Sequence, residues 1–299
     1  MLCTLTLLSC KKDLTTDKAP GNQVDKKHLQ LNISGFNQEV MNLKNSQAKV
    51  SATDSLKDYI SYLYYLVFNA SGEEVSRRVQ YKTQELDFGL ITDSLLPGSY
   101  TAFILGTPKS LQFNEEHKGL NDWPKKPLTA TIIRYRQGAA GIPYCPETFI
   151  RKLKFNLNKD SVISDVTLVR NVGKLEVNIA DATTAHKLEV TVSNQPVYYN
   201  IDNDNTGPGQ EGLEAAKVSS KKYEAFILNT TTPFNVTIRC YDAANILQKE
   251  KAINNIRCYP NKKTVLTGKI FETAFSNPNL SFKVSLEDGW DGLDVEVPF

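Results

Sequence analysis

The sequence predicts a mainly β chain built as two tandem β-sandwiches. Three observations carry that expectation. Apolar residues recur with a period of two along most of the chain, as in a strand with one face in a core. In "KLEVNI" Leu175, Val177 and Ile179 alternate with Lys174, Glu176 and Asn178. Helical spacing is scarce, and the best short candidate is "EGLEAAKVSS" at 211 to 220. The third observation is size: 299 residues are enough for two ordinary domains.

Composition narrows the function classes. The chain is 40% hydrophobic and 23% charged, normal for a folded body. Thirty-five basic residues against 33 acidic ones leave a net charge of +2. No Lys/Arg block exceeds two residues, so no field favours nucleic acid. After residue 9 no apolar stretch approaches the roughly 20 residues that span a bilayer.

The first ten residues, "MLCTLTLLSC", run apolar to Ser9 and Cys10 and then meet Lys11, Lys12 and Asp13. Residues 1 to 9 read as the tail of a secretory signal. Leu7, Leu8, Ser9 and Cys10 resemble a bacterial lipobox. That resemblance implies cleavage before Cys10 and acylation of Cys10 on sulfur and nitrogen, an anchor that holds because it carries more than one chain. No Lys or Arg precedes the run. Residues 10 to 27 hold Pro20, Gly21 and alternating charge, and read as a lipidated tether. Fully extended it reaches about 50 Å.

The body follows. "YISYLYYLVF", 59 to 68, is apolar on both faces and reads as a central strand covered on both sides. "NASGEE" then turns the chain into "VSRRVQYK". Pro97 and Gly98 make a turn that feeds "YTAFILGT". "LTATIIRYR", "RKLKFNL", "KLEVTV", "FNVTIRC" and "TVLTGKIF" read as further strands. "LQLNI" at 29 to 33 matches "LEVNI" at 175 to 179, and "YTAFILGT" at 100 to 107 matches "YEAFILNT" at 223 to 230. Duplication or convergent strand patterning accounts for both matches. The expected sandwiches occupy 28 to 162 and 163 to 299.

No catalytic residue is assigned. His28, His117 and His186 lie far apart, with no metal-ligand spacing around them. No phosphate loop or nucleophile elbow occurs. "DNDNTGPGQEG", 202 to 212, opens like a calcium loop, but its twelfth position is Leu213. It reads more simply as a turn, and no metal or cofactor is assigned. Cys240 and Cys258 each follow "IR" and share a side with Ile238 and Ile256. They form a candidate disulfide or two buried free thiols; Cys145 has no obvious partner. Tyr198, Tyr199, Trp123 and Trp290 are either a ligand-binding aromatic platform or core residues. "DSL" at 54 and 93 and "DSV" at 160 resemble the O-glycosylation acceptor of Bacteroidetes, or are turn serines.

"FIRKLKFNLNKDSVISDVTLVRNVGKLEVNI", 149 to 179, resembles the domain junction of the Bacteroidetes fimbrillin-like anchor subunits, with Leu168, Arg170 and the alternation after Lys174 as the best match. "LPGSYTAFILGT" resembles a stretch late in their first domain. "NKKTVLTGKIF" and "LEDGWDGLDVEVPF" resemble the close of their second. The resemblance implies two transthyretin-like, Greek-key sandwiches, no catalysis and an outer-membrane lipoprotein. It implies other fimbrial subunits as partners, joined by strand addition, with host or bacterial surface ligands as further partners. In related shaft subunits an Arg- or Lys-directed protease cuts after the first strand. Here no arginine precedes Arg77, although Lys44, Lys49 and Lys57 do. That favours an unprocessed anchor or base subunit; the alternatives are a shaft or tip subunit of the same family, or a surface lipoprotein that binds glycan or host protein.

Overall fold

The computed structural model describes residues 25–36, 56–114, 123–137, 142–143, 145–182, 187–207, 211–271 and 282–288. The first sandwich begins with β1 (Lys27–Phe36), a helical turn at Leu56–Tyr59, β2 (Tyr62–Asn69), β3 (Glu74–Tyr81), β4 (Leu90–Leu95) and β5 (Gly98–Thr107). An excursion follows, with β6 (Gln112–Phe113), β7 (Ile132–Arg134), β8 (Arg136–Gln137) and β9 (Ile142–Pro143). β10 (Phe149–Leu157) and β11 (Ser161–Arg170) complete it. β1 lies between β4, antiparallel, and β11, parallel. The facing layer has the order β3-β2-β5-β10. Only two residue pairs, Phe149 with Arg170 and Ile150 with Val169, join the layers. Leu29, Leu31, Ile33, Ile91 and Leu168 of one layer meet Leu63, Tyr65, Val67, Ile104 and Phe149 of the other.

The second sandwich has β12 (Gly173–Ile179), β13 (Lys187–Gln195), β14 (Tyr198–Asn200), β15 (Glu211–Glu214), β16 (Ala216–Lys217), β17 (Lys222–Ile227), β18 (Phe234–Tyr241), β19 (Leu247–Ile256), β20 (Lys262–Gly268) and β21 (Phe282–Asp288). Its layers are β16-β17-β12-β20-β21 and β15-β13-β18-β19. β12 sits between antiparallel β17 and parallel β20, as β1 sits between β4 and β11. Both halves therefore repeat one transthyretin-like plan.

β2 is buried on both faces, as expected. Leu63, Tyr65 and Val67 enter the first sandwich; Tyr64, Leu66 and Phe68 enter another core on the outer side of that layer. This core also takes Phe113, Trp123 and Ile133 from the excursion, and Val172, Tyr199, Ile201 and Leu228 from the second half. β14 pairs with β7, and β7 with β6. One small sheet thus contains strands of both halves.

Several expectations need correction. The boundary between 162 and 163 falls inside β11, which pairs with β1 and β10 of the first sandwich; the first sandwich extends to Arg170. Residues 211 to 220 form β15 and β16 rather than a helix. Cross-strand partners on β13 and β17 set that outcome and override local propensity. "LQLNI" and "LEVNI" occupy equivalent strands, β1 and β12. "YTAFILGT" and "YEAFILNT" do not. β17 corresponds to β4, and β5 to β18, so this second match is strand patterning.

The candidate disulfide is absent, since Cys145, Cys240 and Cys258 are free thiols. Cys240 and Cys258 share one core but lie toward its opposite ends. Ile256, two residues before Cys258, pairs with Phe234, six residues from Cys240. At about 3.3 Å per residue that offset is on the order of 20 Å, far beyond the reach of a disulfide.

Candidate functional site

The most informative place in the molecule is the slot that holds β1. Strand addition needs a backbone ladder and alternate side chains seated in a core. β1 has both. It pairs from Lys27 to Asn32 along β4 and from Leu29 to Phe36 along β11. Leu29, Leu31 and Ile33 are buried beneath it. Each buried aliphatic side chain of this kind contributes about 2 kcal/mol.

Both ends of the slot are closed by hydrogen bonds. The backbone N–H of Ile33 donates to the Gly89 carbonyl at 2.9 Å. Gly89 has φ near +102°, and a Cβ there would stand 3.0 Å from the Ile33 carbonyl oxygen. Only glycine fits that approach without strain. At the entrance, the His28 N–H donates to Asp160 Oδ1 at 2.8 Å, and the His28 ring meets the Ser94 hydroxyl at 3.0 Å. Two of the three Asp-Ser motifs therefore meet where β1 enters. Asp160 binds the His28 backbone rather than its ring, so Ser94, His28 and Asp160 are not arranged as a nucleophile–base–carboxylate relay.

Asp93 accepts from the Tyr65 hydroxyl at 3.2 Å inside the sandwich. Burial first, and the Asp93 charge second, push the Tyr65 phenol far above its ordinary value. Tyr65 stays a neutral donor at any pH the fold meets.

Arg77, the first arginine after β1, is not an accessible loop residue. Its guanidinium stacks 4.4 Å from the Trp123 ring, donates to the Trp123 carbonyl at 2.6 Å and pairs with Glu74. A protease that cuts after arginine meets no exposed target between β1 and Arg77 in the described residues.

The acidic loop after β14 carries its own cation. Lys152 Nζ lies 2.9 Å from Asp204 Oδ1 and donates to the Asp202 carbonyl at 2.7 Å. Asn200 and Asn203 side chains cap loop amides. An ammonium takes the place a calcium loop would give a metal, and no metal-ligand cluster occurs among the described residues.

Of the candidate aromatic platform, two members are core residues and Tyr198 is half-buried. Trp123 and Tyr199 are 4% exposed and belong to the core shared by the two halves. Tyr199 donates to Asp204 at 2.5 Å. Cys10, His117, His186 and Trp290 lie outside the described residues.

Sequence reasoning missed the junction that fixes the halves. Arg170 binds Glu147 and Asn261, the Asn261 N–H donates to the Val172 carbonyl, and β14 reaches across to β7. The stretch around Arg170 resembles a domain junction, but nothing in it signals partners so distant along the chain. Among the described residues no helix is long and apolar enough to cross a membrane.

No protein-family model matches the sequence, and no curated protein does. Solved structures do match. One, from Bacteroides thetaiotaomicron and described as a candidate polysaccharide-binding protein, is 10% identical with a TM-score of 0.55. The match spans 88% of this chain and 96% of that one. The fimbrial anchor protein Mfa2 from Porphyromonas gingivalis is 13% identical, with a TM-score of 0.53 over 88% of this chain and 98% of its own. A candidate adhesin from Bacteroides ovatus is 10% identical, with a TM-score of 0.52 over 87% and 92%. At these identities what is shared is the fold, over 87–88% of this chain.

Proposed function

We propose that this chain is a fimbrillin-like outer-membrane lipoprotein that anchors or caps a fimbrium through strand-mediated contact with other fimbrial subunits. The fold it shares with a fimbrial anchor protein over 88% of the chain supports this reading. The observation that carries the anchor reading is the filled β1 slot. β1 completes its own sandwich on both edges, Gly89 and Asp160 lock its ends, and the first arginine beyond it is packed against Trp123. Such a subunit keeps its first strand. It is read as a base or terminus of a polymer, held at the cell surface by acyl chains on Cys10.

Mass spectrometry of the mature N-terminus from the native bacterium tests the reading, with Cys10→Ala beside the wild type. The expected result is an acylated N-terminal Cys10, release of the variant from membranes, and co-purification of the wild type with other fimbrial subunits. A mature terminus beyond β1, or an unmodified Cys10, overturns it in favour of a processed shaft subunit. Lipidation without any fimbrial partner points to a surface lipoprotein that binds glycan or host protein.

A further inference from the structure

β10 parts from β11 early. The Asn171 N–H donates to the Thr148 carbonyl at 2.9 Å, and the pairing of the two strands ends at Ile150–Val169. Beyond that pair β11 runs beside β1 in the other layer. In an antiparallel ladder, alternate residues turn both backbone groups to the same side. After Ile150, the residues that face the parted strand are therefore Lys152, Lys154 and Asn156. On its other side β10 is paired with β5 from Phe149 to Leu157. One edge of β10 thus has no strand against it from Lys152 onward, among the described residues.

That edge is basic. β10, "FIRKLKFNL", holds three cations and no anion. Lys152 is committed to Asp204. Arg151 and Lys154 are exposed, and neither has an ion-pair partner among the described residues. Lys152 and Lys154 share one face of the strand. Leu153 and Phe155 lie on the other, only partly buried against the first core. Where β10 and β11 part there is a cleft of about 420 Å³, with Ile150, Val169 and Pro260 as apolar walls and Arg151 and Asn171 beside them. The Asn171 Nδ2 amide is buried and has no hydrogen-bond partner. A buried donor without an acceptor is costly, and an incoming acceptor relieves it.

We infer that the free edge of β10 docks an extended acidic segment of another polypeptide, in which carboxylates alternate with apolar residues. Its carboxylates stand opposite Lys152 and Lys154, and its apolar side chains cover Leu153 and Phe155. A further carboxylate takes the cleft, where Arg151 supplies charge and Asn171 Nδ2 a hydrogen bond. The backbone ladder gives affinity, and the directly opposed side chains choose the partner. The three cations repel a second β10, so the edge rejects its own copy. An acidic glycan meets the same cations but leaves the backbone groups of the edge unused, which favours the peptide. The edge lies apart from the β1 slot.

The test titrates the full chain at low salt with a fluorescent, end-capped peptide of alternating valine and glutamate. The same peptide with lysine in place of glutamate, and an oligogalacturonate, serve as comparisons. The glutamate peptide should bind and the lysine peptide should not. Arg151→Glu with Lys154→Glu should weaken binding about tenfold or more; both positions are exposed, so the fold tolerates the change. Lys249→Glu, exposed on β19, should leave binding unchanged. Residues directly opposite Lys152 and Lys154 turn their N–H groups toward β10. Methylating the glutamate amides of the probe should therefore abolish binding, and methylating the valine amides should not. That contrast separates a strand ladder from charge attraction alone. No binding of the glutamate peptide, equal binding of the lysine peptide, indifference to reversal at Arg151 and Lys154, or indifference to glutamate-amide methylation overturns the inference. Binding of oligogalacturonate in place of the peptide also overturns it, in favour of an acidic glycan. None of these outcomes depends on whether Cys10 is acylated.

Discussion

Arg170 and Glu147 form an ion pair inside the junction of the two sandwiches, with Arg170 Nη2 2.7 Å from Glu147 Oε1. The arginine side chain is 4% exposed and the glutamate 17%. Nη1 donates to Asn261 Oδ1 at 2.6 Å, and the guanidinium stands 5.0 Å from the Phe149 ring. The last strand of the first sandwich is thereby tied to the turn that precedes β20.

Removing only the arginine leaves a carboxylate largely out of water. Arg170→Met should therefore lower stability by about 3 kcal/mol, while Arg170→Met with Glu147→Gln should recover much of the loss. Urea unfolding of the three proteins measures this. Equal losses in the single and double variants would mean that packing, not charge, dominates.

The three body thiols should resist modification in the native state. Burial raises Cys240 to about 11 and Cys258 to about 12, and lifts Cys145 as well. Thiolate is the reactive form, so alkylation at pH 8 should be slow until the chain unfolds, when all three should react. Mass spectrometry with and without prior reduction should give the same count.

A charged network spans the outer face of β17, β12 and β20. Burial alone would raise the carboxyl of Glu176, but bonds from Lys222 and Asn178, with Lys263 nearby, hold it below the ordinary value. Glu224 is likewise lowered against its burial by Lys174 and Lys222. Carboxyls lowered in the fold stabilise it above their unfolded value of 4.5 and lose that contribution as pH falls through the folded value. Glu176→Gln should therefore flatten the fall in stability below pH 4.5. Glu74 has the opposite sign. Burial raises its carboxyl despite Arg77, so its contribution holds at low pH and is lost as pH rises through the folded value. Denaturant midpoints from pH 3 to pH 7 separate the two.

β1 should behave as a core strand. Leu31 is 0% exposed, and Leu31→Ala should cost about 3 kcal/mol. Gln30→Ala, on the same strand but half-buried, should cost far less. Thermal unfolding of both variants is the check.

Much of this architecture was legible in the sequence. Alternation in "KLEVNI" and "KLEVTV" points to β12 and β13, and the doubly apolar 59 to 68 points to a strand between two cores, which the structure starts at Tyr62 after a helical turn that ends at Tyr59. Local pattern could not say which core a face meets, because Tyr64 and Tyr65 differ only in what long-range neighbours bring to them. "EGLEAAKVSS" misled for the same reason, since cross-strand pairing decided its form. Arg170 lies inside the stretch that resembles a domain junction. Its partners Glu147 and Asn261 carry no mark in the sequence, and a buried ion pair between distant segments leaves no periodicity to read.

The parallel pairing of β1 with β11 has a mechanical consequence. The chain enters β1 at Lys27 and leaves β11 at Arg170, opposite ends of two strands that run the same way. Tension applied before Lys27 and resisted beyond Arg170 acts along the strand axis. It loads the paired positions from Leu29–Ser161 to Phe36–Leu168 in shear, together rather than one after another. Peeling would break them singly at low force; shear requires them to fail at once. β12 and β20 repeat the geometry between Gly173 and Gly268, so two such clutches stand in series along the line of pull.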